Sequence, residues 1–146
     1  MSSTPSVLFL CVKNGGKSQM AAALMRHHAG DDMQAHSAGT YPGREVNALS
    51  AQVIAEVGAS MAGEKPRAID PELLRAVDRV VLVGAKATVE PIPGMRGRIE
   101  TWDTDEPSER GIEGVERMRL VRDDIATRVQ DLYRELTSTT TSGTPS

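Results

Sequence analysis

Apolar residues in this chain form short continuous runs that are separated by longer segments of mixed character. The runs at 6–12 (SVLFLCV) and 79–84 (RVVLVG) are typical of parallel strands that are covered on both faces. Weaker strands are predicted at 33–39 (MQAHSAG) and 98–102 (RIETW), the first because the segment before it can supply a parallel crossover. The pattern therefore predicts four strands.

The segments between and after these strands predict four helices. Ser18 opens QMAAALMRHHA, which is rich in helix-forming residues, and Gly30 is the predicted stop. A short helix is predicted to begin after Asp70, an N-cap that is followed by a first-turn proline. Over 112–136 apolar residues recur every three or four positions, which predicts one long amphipathic helix. A helix is also predicted over 46–57, where four apolar residues share one face: Val46, Leu49, Val53 and Val57.

Strands that alternate with helices predict an α/β fold. We expect a single domain over residues 1–136, built as a three-layer sandwich around a four-stranded parallel sheet. A chain of 146 residues is long enough to form one such core without disulfides or a structural metal. The tail at 137–146 (TSTTTSGTPS) has no apolar residue to bury and is predicted to be disordered.

The charge balance argues against two classes of partner. The chain has 17 Lys and Arg residues against 20 Asp and Glu, with the signs interspersed, so it lacks the basic patch that binds nucleic acid or anionic lipid. Its apolar runs are too short to span a bilayer, and the polar start MSSTPS does not resemble a signal peptide. We therefore expect a soluble cytoplasmic protein with no nucleic-acid or membrane partner.

The one cysteine, Cys11, ends the first predicted strand, at the edge of a parallel sheet where ligands bind. Gly15 and Gly16 allow a sharp turn after it, which brings successive backbone N–H groups toward one point. The positive end of the following helix faces the same point. We therefore predict that this loop binds a tetrahedral oxyanion. The candidate anion-binding residues in the loop are Val12, Lys13, Asn14, Gly15 and Gly16.

The same loop is expected to change the chemistry of Cys11. A helix N-terminus and cationic neighbours favour the thiolate form of a cysteine, and the cations here are Lys13 and Lys17. Cys11 would then lie beneath the bound anion as a nucleophile. Ser18 is placed either to donate its hydroxyl to the thiolate or to cap the helix.

Two other interpretations of this loop are weaker. Cys11 can complete the strand core before an ordinary turn, but a cysteine at this strand end followed by paired glycines is a narrow coincidence. Gly16-Lys17-Ser18 also ends the nucleotide-binding pattern G-x-x-x-x-G-K-[ST], with Cys11 where the first glycine belongs. That pattern expects another strand to end in a magnesium-binding aspartate, whereas RVVLVG ends in glycine. No nucleotide is therefore expected.

Three motifs, in order along the chain, give it a family resemblance: CVKNGGKSQMA after the first strand, S-A-G-T at Ser37–Thr40, and WDTDEP before the last helix. Together they resemble the low-molecular-weight protein tyrosine phosphatase superfamily, and within it the single-cysteine arsenate reductase branch. The resemblance implies Cys11 as the nucleophile, Asn14 as the residue that shapes the anion loop, and Ser37 as its hydrogen-bond partner. It also implies that Ser18 supports the thiolate and that the protein is a homodimer.

Two positions depart from the family pattern. Lys17 replaces the arginine of C-x5-R, and a lysine offers a point charge in place of the bidentate geometry of a guanidinium. Glu106 replaces the aspartate that precedes the proline, with Asp105 one residue earlier. Either carboxylate is a candidate proton donor, with Glu106 favoured by alignment, and the alternative is that both are solvated loop acids. The expected catalytic residues are Cys11, Lys17, Ser18, Glu106 and Asp105.

The resemblance favours arsenate over a phosphorylated ring as the substrate. Family phosphatases hold the ring between aromatic side chains beside the catalytic acid, and the corresponding stretch here, EPSERG, has none. With no second cysteine to form an internal disulfide, the electrons must come from an external thiol. The loop resembles that of actinobacterial single-cysteine enzymes, which implies mycothiol as co-substrate and mycoredoxin as the next partner. The expected activity is therefore that of an arsenate-mycothiol transferase acting in arsenate reduction.

Two other functions fit the same residues: a phosphatase, and a non-catalytic protein that only binds phosphate or arsenate. No metal site is expected. His27 and His28 lie at the end of a predicted helix, where their charge complements the dipole, and only His36 remains as a further ligand of that type.

Overall fold

The computed structural model describes residues 4–142, which contain four strands and four α-helices. The strands are β1 (Ser6–Cys11), β2 (Gln34–Gly39), β3 (Arg79–Val83) and β4 (Arg98–Trp102). The helices are α1 (Lys17–Ala29), α2 (Ala48–Glu56), α3 (Pro71–Ala76) and α4 (Gly114–Ser142), with short 3-10 turns at Gly30–Asp32 and Pro107–Arg110.

The four strands form one parallel sheet in the order β2-β1-β3-β4. Successive side chains of β1 point to opposite faces, so Val7 and Phe9 pack on one side of the sheet and Leu8 and Leu10 on the other. Helices α1, α2 and α4 cover the Phe9 side, and α3 covers the Leu10 side. The predicted three-layer α/β fold with a four-stranded parallel sheet is confirmed.

The register of β1 against β2 positions the candidate site. Cys11 lies opposite Gly39, so the last residues of the two strands are neighbours at the carboxyl edge of the sheet. Helix α1 begins at Lys17, directly after the glycine turn, and its N-terminus faces the same edge. Cys11 therefore lies where parallel α/β sheets bind ligands.

A buried arginine joins the far end of the sheet to the last helix. Arg79 begins β3, and its side chain donates to Glu100 of β4 and to Glu135 of α4, each at 2.6 Å. Burial acts to lower the pKa of Arg79, but the hydrogen bonds that Arg79 donates to Glu135 and Glu100 outweigh it and hold the pKa above its ordinary value. The same contact with Arg79 lowers the pKa of Glu135. The sequence pattern gave no indication of this cluster.

The predicted disorder of the tail at 137–146 is wrong for its first part, because α4 continues to Ser142. The Thr137 hydroxyl donates to the carbonyl oxygen of Tyr133 at 2.7 Å, so this polar side chain finds a partner inside the helix. A helix that is already anchored by its apolar face needs little more to add a further turn. Residues 143–146 lie outside the described part of the chain.

The apolar face predicted for 46–57 is also partly wrong. Helix α2 buries Ser50, Val53 and Ile54, whereas Leu49 and Val57 are exposed. The side chain of Asn47 caps the helix by accepting a hydrogen bond from the backbone N–H of Ser50 at 2.8 Å. This cap starts the helix later than the apolar spacing predicts, and spacing alone did not reveal it.

Candidate active site

The loop between β1 and α1 is held from outside by the segment that follows β2. Four of its carbonyl oxygens accept hydrogen bonds from backbone N–H groups of that segment, at 2.6–3.1 Å. The pairs are Thr40 to Cys11, Tyr41 to Val12, Gly43 to Lys13, and Asn47 to Gly15. Among residues 4–142, by contrast, nothing accepts a hydrogen bond from the backbone N–H groups of Lys13, Asn14, Gly15 or Gly16.

The carbonyl and N–H groups of the loop have different roles. The carbonyl oxygens bind the segment after β2, whereas the N–H groups of residues 13–16 have no hydrogen-bond acceptor among the described residues and lie next to the start of α1. N–H groups arranged in this way form an anion-binding concavity, and a helix N-terminus adds partial positive charge. The loop can therefore receive a tetrahedral oxyanion.

Asn14 fixes the shape of the loop from beneath. It is fully buried and has a φ of 55°, in the left-handed region that asparagine tolerates better than most residues. Its side-chain oxygen accepts from the backbone N–H of Arg67 at 3.0 Å and from the Gln19 amide at 3.2 Å. Because the Arg67 N–H can only donate, it settles which end of the Asn14 amide is oxygen.

The other end of that amide determines the direction of a hydrogen-bond chain toward the cysteine. The Asn14 nitrogen donates to the Ser18 hydroxyl oxygen at 2.8 Å, and that oxygen lies 2.9 Å from the Cys11 sulfur. Since Ser18 accepts from Asn14, its own hydrogen is free to point at the sulfur. A hydroxyl that donates to sulfur stabilises the thiolate. Ser18 makes no helix-capping hydrogen bond, so the geometry favours the first of its two predicted roles.

The expected hydrogen bond between Ser37 and Asn14 is wrong. Asn14 bonds to Ser18, Gln19 and Arg67, and Ser37 is buried within β2 opposite Phe9 of β1. Strand register therefore keeps Ser37 inside the sheet, before the chain reaches the loop.

The residue of S-A-G-T that meets the loop is Gly39. A Cβ atom at Gly39 would lie 2.7 Å from the carbonyl oxygen of Val12 and 3.0 Å from the backbone nitrogen of Asn14. Its own N–H donates to the carbonyl oxygen of Arg67 at 2.8 Å. Glycine at this position lets β2 and the anion loop approach each other closely.

Lys17 and Glu106 face each other across the site. The Lys17 ammonium is ion-paired with a Glu106 carboxylate oxygen and donates to the Thr104 hydroxyl at 3.0 Å. A Cβ atom at Gly84 would lie 3.3 Å from that ammonium nitrogen, so glycine at the end of β3 leaves room for it. The two positions that depart from the family pattern are thus in direct contact.

Asp105 points elsewhere. Its carboxylate receives two hydrogen bonds from Arg110, at 2.8 and 3.1 Å, and its backbone N–H donates to Asp124. The hydrogen bond from Arg110 is the main cause that lowers the pKa of Asp105. Of the two candidate proton donors, the structure brings Glu106 to the Cys11 cavity and leaves Asp105 outside it.

Two cavities border the loop. A cavity of about 230 Å³, which we call the Cys11 cavity, is lined by Cys11, Lys17 and Glu106 together with Arg117 of α4. A second cavity of about 650 Å³, the outer cavity, includes the side chains of Lys13 and Arg44. Sequence analysis missed Arg117, because a charged residue on the polar side of an amphipathic helix carries no mark of a binding role.

His28, one of the histidines considered as metal ligands, lines neither of these cavities. It packs edge-on against Tyr133, with ring centroids 4.9 Å apart. In the part of the chain that the structure describes, no three His, Cys, Asp or Glu side chains cluster in a way that could hold a metal ion. Within residues 4–142, no helix combines the length and the apolar character needed to cross a bilayer.

Comparison with known proteins decides the family. The model of the low molecular weight phosphotyrosine protein phosphatase family matches residues 6–142. The chain belongs to this family. The resemblance based on the three motifs is confirmed, and in this chain the loop motif that starts at Cys11 has the form C-x5-K.

Relatives within the family include proteins named arsenate reductase. The arsenate reductase of Halalkalibacterium halodurans is 33% identical over 131 residues, which is 85% of this chain and 91% of that protein. The solved arsenate reductase of Archaeoglobus fulgidus is 31% identical, with a TM-score of 0.69, and the match covers 87% of this chain and 98% of that one. A thioredoxin-dependent arsenate reductase of Corynebacterium glutamicum is 28% identical, with a TM-score of 0.78, over 94% of this chain and 64% of that chain.

Proposed function

We propose that this protein is an arsenate reductase in which Cys11 attacks arsenate and an external thiol removes the arsenic group. The observation that carries the proposal is the position of the Cys11 sulfur. It lies at the start of a loop whose N–H groups have no partner among the described residues, 2.9 Å from a serine hydroxyl that can donate to it. The relatives named arsenate reductase, at about a third identity, support arsenate as the anion.

In the first step the Cys11 thiolate attacks arsenic, so a sulfur–arsenic bond forms and one arsenic–oxygen bond breaks. The departing oxygen leaves as water and must gain protons. Glu106 is the carboxylate that lines the Cys11 cavity, and we assign it the delivery of one of these protons. The loop N–H groups and Lys17 balance the charge on the remaining oxygens.

The second step needs a thiol from outside, because the chain has a single cysteine and cannot form an internal disulfide. We propose mycothiol for this role, on the likeness of CVKNGGKSQMA to the loop of actinobacterial single-cysteine enzymes. The mycothiol thiolate attacks arsenic, Cys11 leaves as thiolate, and an arseno(V)–mycothiol adduct is released. The protein would then be an arsenate-mycothiol transferase.

Reduction follows on the released adduct. A mycoredoxin thiol attacks the mycothiol sulfur and forms a mixed disulfide, while the electron pair of the sulfur–arsenic bond stays on arsenic as arsenite. We assign the approach of the thiol to the outer cavity, of about 650 Å³, which borders the same loop and shares Lys17 and Arg117 with the Cys11 cavity. Apolar side chains of Val46, Met118 and Val121 line the outer cavity beside the cationic ones, which suits an organic co-substrate.

The direct test is to incubate the protein with arsenate and mycothiol, add mycoredoxin, and measure arsenite. We expect arsenite to form with the native protein and to stay at background with Cys11→Ser. Parallel reactions with glutathione, bacillithiol or a thioredoxin system identify the reductant. If arsenite forms with one of these thiols and not with mycothiol, the protein is an arsenate reductase and the proposal of an arsenate-mycothiol transferase is wrong. No arsenite with any thiol would overturn both.

A phosphatase is the second candidate, because the same N–H cradle accepts phosphate and the family is named for phosphatases. It is weaker, since the stretch EPSERG that begins at Glu106 contains no aromatic residue to stack on a substrate ring. Turnover of p-nitrophenyl phosphate at an ordinary phosphatase rate would favour it. Calorimetric binding of phosphate or arsenate with no product from either assay would favour a non-catalytic binding protein.

A further inference from the structure

Arg117 of α4 stands between the two cavities of the site. Only two side chains line both the Cys11 cavity and the outer cavity among the described residues, and they are Lys17 and Arg117. Lys17 belongs to the loop itself, whereas Arg117 comes from a helix that begins nearly a hundred residues later in the chain. An anion above Cys11 would therefore meet a guanidinium that the loop motif does not contain.

The loop lacks an arginine of its own. Lys17 occupies that position, and its ammonium is engaged by Glu106 and Thr104. The positive charge of Lys17 is thus matched by a carboxylate before any substrate arrives. A planar guanidinium can bond to two oxygens of one tetrahedral anion, and the loop itself contains none.

Arg117 has the capacity to fill this role. Its nearest acid is Glu113, at 3.9 Å, and the Glu113 side chain is 66% exposed, so the pair is weak. The Arg117 Nε atom is buried and has no hydrogen-bond partner among the described residues. A buried donor without an acceptor is unfavourable, and an anion in the cavity gives the side chain a reason to shift and satisfy it.

We propose that Arg117 is an oxyanion-binding residue, whose guanidinium bonds to the tetrahedral anion above Cys11 in place of the arginine that the loop lacks. The proposal rests on the proposed function only for the identity of the physiological anion as arsenate. The binding itself concerns any tetrahedral oxyanion of this charge, including inorganic phosphate, which the protein cannot reduce.

The test is calorimetric titration of the reduced native protein with inorganic phosphate, and of three variants. Arg117→Gln removes the guanidinium. Arg117→Lys keeps the positive charge but not the planar group that can donate two parallel hydrogen bonds. Arg134→Gln is the matched control, because it removes an exposed arginine from the same helix, where its partner is Asp131. Circular dichroism and thermal unfolding establish that each variant is folded.

We expect Arg117→Gln to weaken phosphate binding about tenfold or more, as loss of charge-assisted hydrogen bonds predicts. Arg117→Lys should fall between Arg117→Gln and the native protein, and Arg134→Gln should bind like the native protein. Equal affinities in all four proteins would overturn the proposal, as would absence of phosphate binding by the native protein. If Arg117→Gln fails to fold, the comparison of Arg117→Lys with the native protein decides in the same way.

Arsenite assays on the same variants separate this proposal from the proposed function. We expect Arg117→Gln to raise the KM for arsenate more than it lowers kcat. If Arg117→Gln weakens phosphate binding but the native protein forms no arsenite, the anion-binding role of Arg117 stands and the proposed reductase activity is wrong. If Arg117→Gln forms arsenite normally with an unchanged KM for arsenate, the reductase activity stands and the anion-binding role of Arg117 is wrong.

Discussion

Lys17 and Glu106 form an ion pair beside the Cys11 cavity, and these are the two residues at which the chain departs from the pattern of its family. An arginine has been exchanged for the shorter-reaching ammonium of lysine, and an aspartate for the longer carboxylate of glutamate. Because Lys17 and Glu106 are in contact, we expect the effects of these two departures on the site to depend on each other.

This pairing predicts that the two residues act as a unit. Glu106→Gln removes the proposed proton donor and should lower kcat for arsenate reduction roughly 100-fold. Lys17→Met should also lower it, because Glu106 then keeps a charge without its partner. In the double variant, kcat should fall by less than the product of the two single fold-losses, because each single change leaves the other residue without its ion-pair partner. Arsenite formation under saturating thiol measures all four rates, and losses that simply multiply would contradict the pairing.

Asp105 should be dispensable for the chemistry. Its carboxylate is bound to Arg110, which lowers its pKa, and it does not line the Cys11 cavity, so it is not placed to protonate the departing oxygen. We therefore expect Asp105→Asn to lower kcat less than about threefold, far less than Glu106→Gln. The pH profile of kcat in Asp105→Asn should follow that of the native protein. A shifted profile or a large loss would restore Asp105 as the donor.

Gly39 should be intolerant of a side chain. A Cβ atom there would lie 2.7 Å from the Val12 carbonyl oxygen, so Gly39→Ala must push the anion loop or β2 aside. We expect the free energy of unfolding to fall by about 1–3 kcal/mol, the usual effect of overpacking, with oxyanion affinity falling as well. The matched control is Gly43→Ala, whose Cβ would lie 3.6 Å from the Lys13 Cβ, an ordinary contact. Urea unfolding of both variants checks this, and equal stabilities would refute the close approach.

Arg79 should contribute to stability in a way that depends on pH. Arg79→Gln removes the hydrogen bonds of the buried guanidinium to Glu100 and Glu135, which both keep Arg98 nearby. We expect the free energy of unfolding to fall by about 2 kcal/mol at pH 7, as loss of hydrogen bonds to charged groups predicts. The folded pKa of Glu135 lies below its ordinary value of 4.5. Its share of the stabilisation is therefore complete above about pH 4.5 and is lost as the pH falls through the folded value.

The measurement is urea unfolding of the native protein and Arg79→Gln at pH 7 and at successively lower pH. The difference in stability between them should shrink as Glu135 becomes protonated. A difference that stays constant down to about pH 3 would show that the ion pairs contribute little and that packing of the Arg79 side chain matters instead.

Sequence patterns predicted the elements whose local residues determine them. β1 and the loop after Cys11 were predicted because an apolar run followed by paired glycines specifies a strand and a turn on its own. The Asp70 cap of α3 was predicted for the same reason, and its side chain accepts from the N–H of Glu72 at 3.0 Å.

What the sequence did not predict depends on contacts between distant segments. Gly39 and Asn14 meet only because β2 lies beside β1, and Ser37 is kept from the loop by the same register. Arg117 reaches the site only because α4 packs back across the sheet. No local pattern records these distances, so a motif can name the right segment, S-A-G-T, and still point to the wrong residue within it.

The central claim is that a tetrahedral oxyanion binds directly above the Cys11 sulfur. Alkylation of the reduced protein by iodoacetamide, followed by intact mass, tests it without depending on the thiol or on turnover. The account predicts a single adduct on Cys11 whose rate of formation falls toward zero as inorganic phosphate is added to saturation. An alkylation rate that does not change with phosphate would mean that the anion does not bind over this sulfur, and the account would be wrong.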